Sequence, residues 1–469
     1  MNKQRLIERR KFLKQLSAAT LGLGLVPAGP LGSFALGQTP GFNRPDRYYI
    51  FCYFSGGWDT LLALDPRDPR QFNNLNMRET QIQPGYELLD LPDADIIRVG
   101  DINVGPFFSP LVPWMDRVSI VRGMSMDTLT HEVGRRRFLT GKSPTGLQAR
   151  GSSASTWLSE YFGLAEPIPN LSVRVENFNS GRANAATALA VNSTSDLLRT
   201  LRPGPDTISG RLNGLIDAHL KVQAGCANRS GSSIITQSEA SRRKVSEMVE
   251  GDLAAYFDFG SNTPEMRDLR DRYGFGPRDT ATASVQGALA VQAITKGISR
   301  CATIQVAGGL DTHFDDWESD QGPRQEAGFA VVANMMNELQ NTEYKGTGSS
   351  WLDHTVIVGF SEFSRTALIN VRGGRDHSLT NSCFLAGGNI RGNQVIGASS
   401  NFGLQPTKVD LVTGRSDLGG EVIRPEHILQ TLFDEVGLND LPDLRVPECR
   451  QPGVSTCDHT VAIPALLKS

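Results

Sequence analysis

The sequence predicts an α/β fold: a largely parallel sheet with helices covering both faces. Three observations carry that expectation. Short, continuous apolar runs of strand length recur along the chain and stop at Gly or Ser-Gly. Stretches with a helical pattern alternate with those runs, the arrangement that places parallel strands under helices on either side. A chain of 469 residues also supplies ample core for one large α/β domain or two smaller ones.

The elements follow in order. Tyr48–Phe54, YYIFCYF, reads as a buried central strand that ends at Ser-Gly-Gly. VSIVR from Val118 is a second strand, ended by Gly123, and helices are expected over 134–139 and 155–162. LSVRV from Leu171 is a third strand. From about 196 to 285 the pattern turns mostly helical, broken by the polar loop AGCANRSGSS, and is expected to form an insertion outside the sheet. Strand ATIQVA, helix EAGFAVVANMMNELQ, strand HTVIVGF, strand SCFLAG and a late helix PEHILQTLFDEVG complete the pattern.

Composition excludes several functions. Lys+Arg (47) nearly balance Asp+Glu (50), so the chain lacks the basic footprint of a nucleic-acid binder. No stretch of the mature body is apolar and long enough to span a bilayer. Six cysteines in so long a chain do not make a disulfide scaffold. Cys52, Cys301 and Cys383 lie in or beside apolar runs and read as buried thiols, whereas Cys449 and Cys457 flank a short polar loop that an oxidising compartment would let them close. The compartment is read from the first segment. Arg9-Arg10-Lys11-Phe12-Leu13-Lys14 precedes a mildly apolar, Gly- and Ala-rich run and then Ala35-Leu36-Gly37, a small-x-small site. Residues 1–37 are therefore expected to be an export signal of twin-arginine type, departing from that pattern at Glu8. The expected partner is the twin-arginine export machinery, and the expected location is the periplasm or the cell surface. Residues 38–446 form the α/β domain and 447–469 a tail.

One phrase occurs three times: GGWDT at Gly56–Thr60, GGLDTH at Gly308–His313 and GGRDHS at Gly373–Ser378. Their flanks do not match, so duplication does not account for them. Convergence in space does, if three loops need the same tight turn and meet at one site. Ligands of open α/β sheets bind beyond the carboxyl ends of the strands. Asp59 lies past the first strand, Asp311 and His313 past ATIQVA, and Glu362 past HTVIVGF; Asp376 and His377 follow in the next loop. These six residues make a mixed oxygen and nitrogen set suited to one or two divalent ions, Zn²⁺, Mn²⁺, Mg²⁺ or Ca²⁺. Each phrase taken alone is more readily a turn than a site. His131 sits before a helix after the second strand, with Ser125, Thr128 and Thr130 as candidate hydroxyls, although Thr130 or Thr128 taken alone reads as a helix cap before it reads as a nucleophile. Arg135–Arg137 read as an anion clamp or as a solvated face, and Arg365 as an orienter of Glu362. His219, His354 and His427 lack clustered partners and read as structural, with His459 exposed in the tail.

Together the Arg-Arg start, GGWDTLLALDPRD, THEVGRRRFLTG, GGLDTH, SEFSRT and GGRDHS resemble the DUF1501 family, from about Arg47 to about Val446. That family is bacterial, usually exported by the twin-arginine route, and related to the alkaline phosphatase and sulfatase superfamily. The resemblance implies an alkaline-phosphatase-like fold and hydrolysis of phosphate or sulfate esters by a Ser, Thr or formylglycine nucleophile beside Asp- and His-held metals. Asp59, Asp311, His313 and the adjacent Asp376-His377 match such ligands, with SEFSRT placed where that pair usually stands; this leaves Glu362 and Asp376 as competing assignments. The Cys-x-Pro-x-Arg maturation motif of formylglycine sulfatases is absent. The reading is an exported metal-dependent hydrolase of an anionic small-molecule or polymer ester, with Thr130, His131 and Arg365 as candidate catalytic residues. The alternative is a non-catalytic surface or polysaccharide-binding protein that keeps the fold.

Overall fold

The computed structural model describes residues 45–202, 252–439, 441–442, 444 and 461–468, together with 214, 215, 218, 219 and 222. The export segment, about half of the expected insertion, and Cys449, Cys457 and His459 lie outside the described residues. The chain divides into two compact units, one of Met1–Arg44 with Leu198–Ala255 and a larger one of Pro45–Leu197 with Tyr256–Ser469. The larger holds the sheet.

Its core is an eight-stranded sheet. Numbered along the chain, the strands are β1 Tyr48–Phe54, β2 Val118–Ser125, β3 Asn170–Val173, β4 Leu189–Val191, β5 Cys301–Ala307, β6 Thr355–Phe360, β7 Thr380–Gly387 and β8 Gln394–Ile396. They stand in the order β8-β2-β7-β6-β1-β5-β3-β4. Every neighbouring pair is parallel except those of β7, which runs antiparallel to both β6 and β2. The largely parallel α/β sheet expected from the alternation of elements is therefore present, with one reversed strand that the alternation did not signal.

Burial explains why these runs form strands. All seven residues of β1 are buried, because it pairs with β5 on one edge and β6 on the other while helices cover both faces. Alternate side chains take opposite faces. Tyr49, Phe51 and Tyr53 join a core with Phe138, Leu158 and Leu429. These come from helices α1 His131–Thr140, α2 Ala154–Phe162 and, last in the chain, Pro425–Glu435. Phe54 turns the other way, its ring 4.9 Å from that of Phe329 in helix Gly322–Asn341. Helix Ala283–Thr295, at the end of the expected insertion, packs against β5 as a covering helix. The described end of the tail joins the core too, with Ile463 and Leu466 buried. Among the described residues no helix is long and apolar enough to cross a membrane.

Sheet topology positions the site. Segments leaving the parallel strands β1, β2, β3, β5 and β6 all emerge on one rim, and so does the segment entering the reversed strand β7.

Candidate metal centre

The three Gly-Gly loops meet on that rim, backbone against backbone. Leu310 N–H donates to the Ser55 carbonyl (3.2 Å), Arg375 N–H to the Thr312 carbonyl (3.2 Å), and Phe314 bridges Gly373. Gly56 shows why the loop needs glycine. Its φ is +115°, and a Cβ there would stand 2.7 Å from the Asp311 nitrogen.

The carboxylates of the three loops have different surroundings. Asp59 is 1% exposed. It accepts from Leu61 N–H (3.0 Å) and the Trp317 indole (2.9 Å) and pairs with Arg375 at 2.8 Å. Asp376 accepts from Asn370 (3.2 Å) and Arg372 (3.3 Å). Neither joins the residues gathered around Asp311.

Asp311 is the centre of the cluster. Around its Oδ1 stand Arg365 Nη2 (2.6 Å), His313 Nδ1 (3.2 Å), His131 Nε2 (3.3 Å) and His377 Nε2 (3.3 Å). His131 comes from the first turn of α1, after β2; His377 comes from the segment entering β7. Because β7 is reversed, that segment begins on the rim where the parallel strands end. Gly134, three residues after His131 and on the same side of the helix, lets α1 lie directly on the Glu362 backbone. A Cβ there would be 2.2 Å from the Glu362 carbonyl oxygen.

Glu362 stands behind His131. It is 1% exposed, and its Oε1 accepts from His131 Nδ1 (2.7 Å) and Gly56 N–H (2.9 Å) while Oε2 accepts from the Ser361 hydroxyl (2.9 Å). Burial alone would raise its carboxyl; the His131, backbone and Ser361 hydrogen bonds override that and hold it below the usual range. His131 is moved the other way: burial would lower it, and Glu362 and Asp311 raise it. His377 gives its Nδ1 to the Leu129 carbonyl (2.7 Å), and burial keeps its imidazole below the ordinary value. Asp311 is lowered against the opposing effect of burial, mainly by Arg365.

These contacts set the tautomers. A carbonyl and an ionised carboxylate can only accept, so Nδ1 carries the proton in both His377 and His131. In each neutral ring the Nε2 lone pair is then turned toward Asp311. A single carboxylate oxygen that already accepts from Arg365 has too few lone pairs for three imidazole donors as well. His131, Asp311 and His377 place one ligand atom apiece within 4.8 Å of one another and form a group that could hold a metal ion. The donor set, two imidazole nitrogens and a carboxylate with a carboxylate behind one imidazole, is the kind that binds divalent transition metals.

Other expected residues take their own places. Arg365 is 1% exposed; beyond Asp311 it donates to the carbonyls of Gly56, Gly57 (2.9 Å) and Arg375 (3.2 Å). It ties the loops together and fixes Asp311, rather than orienting Glu362. Thr130 is exposed at the N-terminus of α1 and makes no side-chain cap bond. Among the described residues, no serine or threonine hydroxyl is a partner of Asp311, His131, His313 or His377. Arg137 is sealed against Glu426 (2.9 Å), and Arg135 and Arg136 both hold Glu176. His354 bonds Ser349, and His427 sits against Glu421 and the Arg424 backbone. Sequence reasoning assigned His131 to catalysis rather than to the ligand group and passed over Leu129 and Glu176. The placement of His131 after a strand was the available signal; the carbonyl that orients His377 left none.

A family model described as a protein of unknown function, DUF1501, matches residues 47–418. No curated protein matches the chain. Among solved structures, the chain is similar to a protein from a glycosaminoglycan-metabolising core locus of Bacteroides thetaiotaomicron whose designation ends in 4S-sulf. The two share 9% identity, with 84% of this chain and 74% of that one covered and a TM-score of 0.32. A likeness of that size leaves the activity open.

Proposed function

The chain belongs to the DUF1501 family, and we propose that it is an exported, metal-dependent hydrolase of an anionic ester, most simply a phosphate. One observation carries the reading: His131 and His377 both have Nδ1 held by an acceptor, so that both Nε2 atoms face Asp311 Oδ1 at 3.3 Å. His131, Asp311 and His377 would hold the ion. A divalent ion in such a site polarises an ester oxygen and acidifies water. The protein's own groups do the rest. Glu362 keeps the His131 proton on Nδ1. Arg365 keeps Asp311 ionised and oriented. His313, 3.2 Å from Asp311, is the imidazole beside the group that is left to move a proton.

The second reading, a non-catalytic exported surface or polysaccharide-binding protein, draws on the lack, among the described residues, of a hydroxyl nucleophile partnering the group. Metal analysis of the full-length protein from its export compartment, followed by a screen of aryl phosphates and sulfates on the same sample, separates the two. The hydrolase reading expects about one divalent ion per chain, lost together with ester hydrolysis in His377→Ala. Protein that stays metal-free in saturating Zn²⁺ and Mn²⁺ sinks it. Metal-loaded protein without hydrolysis favours the second. Export by the twin-arginine route to the periplasm or cell surface is part of the proposal and rests on Arg9-Arg10. Replacing both with Lys should retain the protein in the cytoplasm, and unchanged export refutes the route.

A further inference from the structure

We propose that Arg135 and Arg136 form a second subsite, one that binds an oxyanion carried by the substrate, and that Glu176 fills it in the free protein as a displaceable stand-in. The assignment of that oxyanion to the substrate rests on the hydrolase reading; the subsite itself does not.

Two guanidinium groups converge on one carboxylate. Arg135 reaches Glu176 Oε2 with Nε (3.0 Å) and Nη2 (2.8 Å), while Arg136 reaches Oε2 with Nε (3.2 Å) and Oε1 with Nη2 (2.8 Å). This is the fork geometry that fits a carboxylate, phosphate or sulfate equally. The charges do not balance: two cations share one anion, and the remaining contacts of Arg136 are the Leu147 carbonyl and the Phe178 ring. Each guanidinium lies over an aromatic face, Arg135 over Tyr53 at 5.9 Å and Arg136 over Phe178 at 6.0 Å. The forks are thus held in place without Glu176 having to do it.

Position joins the pair to the metal group. Arg135 is four residues after His131, on the same face of α1, with about 5–6 Å expected between their Cβ atoms. Glu176 lies three residues past β3, on the rim that carries Asp311.

The next arginine along α1 shows what a purely structural pair looks like. Arg137 and Glu426 have side chains 2% and 1% exposed. Glu176 is 35% exposed, and Arg135 and Arg136 are 20% and 16% exposed, so solvent and solutes reach them. Burial would raise the Glu176 carboxyl, yet Arg136 and Arg135 hold it below its ordinary value. It is an ionised competitor at neutral pH.

The test is calorimetric titration of inorganic sulfate into the full-length protein. Glu176→Gln removes the competing charge and should bind sulfate about tenfold tighter than the wild type. Adding Arg136→Gln should abolish that gain. A Glu176→Gln protein that binds no tighter, or a gain that survives the loss of Arg136, overturns the subsite. His377→Ala in the Glu176→Gln background should keep the gain, which separates this result from failure of the metal group. A second measurement covers the case in which Glu176→Gln does not fold. In otherwise intact protein, Arg136→Gln should raise KM for an aryl phosphate bearing a carboxylate as a second anion about tenfold more than for the plain aryl phosphate. Equal changes refute a substrate-borne oxyanion. If no ester is hydrolysed, the hydrolase reading fails, and the subsite is decided by sulfate with the Arg136→Gln protein: unchanged sulfate binding overturns it.

Discussion

Asp59 and Asp311 stand in the same phrase, after a Gly-Gly pair and one further residue, and each faces a buried arginine. They do different work. Asp59 is sealed, its oxygens taken by Arg375, the Trp317 indole and the Leu61 N–H. Burial would push the Arg375 guanidinium down, and Asp59 opposes that. Asp311 has a side chain 49% exposed, with three imidazoles about it. The two pairs cross: an Asp of the first loop holds an Arg of the third, and an Asp of the second holds Arg365, which in turn holds the first loop through Gly56 and Gly57. A shared phrase therefore specifies a shared backbone turn, while the function of its carboxylate is set by what else reaches it.

The largest expected effect breaks the sealed half of this comparison. Asp59→Ala leaves Arg375 buried and unpaired, and should lower the unfolding free energy in urea by about 3–5 kcal/mol. Asp311→Ala also takes a carboxylate from a buried arginine, Arg365, but its side chain is 49% exposed, so water can take its place, and the loss should be smaller, about 1 kcal/mol. Equal losses would mean that the two regions are not distinct in kind.

Metal affinity should rank them in reverse. Glu362→Gln, which weakens the hold on the His131 tautomer, should cost about 10–100-fold in Zn²⁺ affinity measured against a competing chelator. Asp376→Asn, which neutralises an acidic residue on the same rim outside the group, should leave that affinity as it is. A loss of similar size in both would point to the general charge of the rim rather than to the group.

Gly134→Ala sharpens the comparison from the helix side. Its Cβ would meet the Glu362 carbonyl oxygen at 2.2 Å, so α1 must move. We expect about 1–3 kcal/mol of overpacking cost in the urea midpoint and a weakened metal site, since His131 rides on that turn. Unchanged affinity would show that His131 does not depend on where the helix lies.

The smallest expected effect is in pH. The His131 pKa is raised in the folded protein, so its contribution stabilises the metal-free fold below about 6.5 and is lost as pH rises through the folded value. Urea midpoints of metal-free protein should fall slightly across that window, and His131→Gln should flatten the slope. A slope that persists in the variant assigns it to another group.

Some of this was determined by local sequence alone. The continuous apolar runs β1, β5 and β6 and the helices between them are legible because strand and helix burial impose their own periodicities on neighbouring residues. So was the placement of Asp311, His313, Glu362 and His131 just past strands, since a parallel sheet collects strand ends on one rim. Tertiary structure decided the rest. The reversal of β7 brings His377 to that rim, and nothing in SCFLAG encodes strand direction, because a strand buried on both faces reads the same either way. Pairing of Asp59 with Arg375 removed one expected ligand from the group. Asp376, which turns to Asn370 and Arg372, is a second. The Leu129 carbonyl that aims His377 left no trace in the sequence, because every residue carries a carbonyl and only the packed chain determines which imidazole it meets.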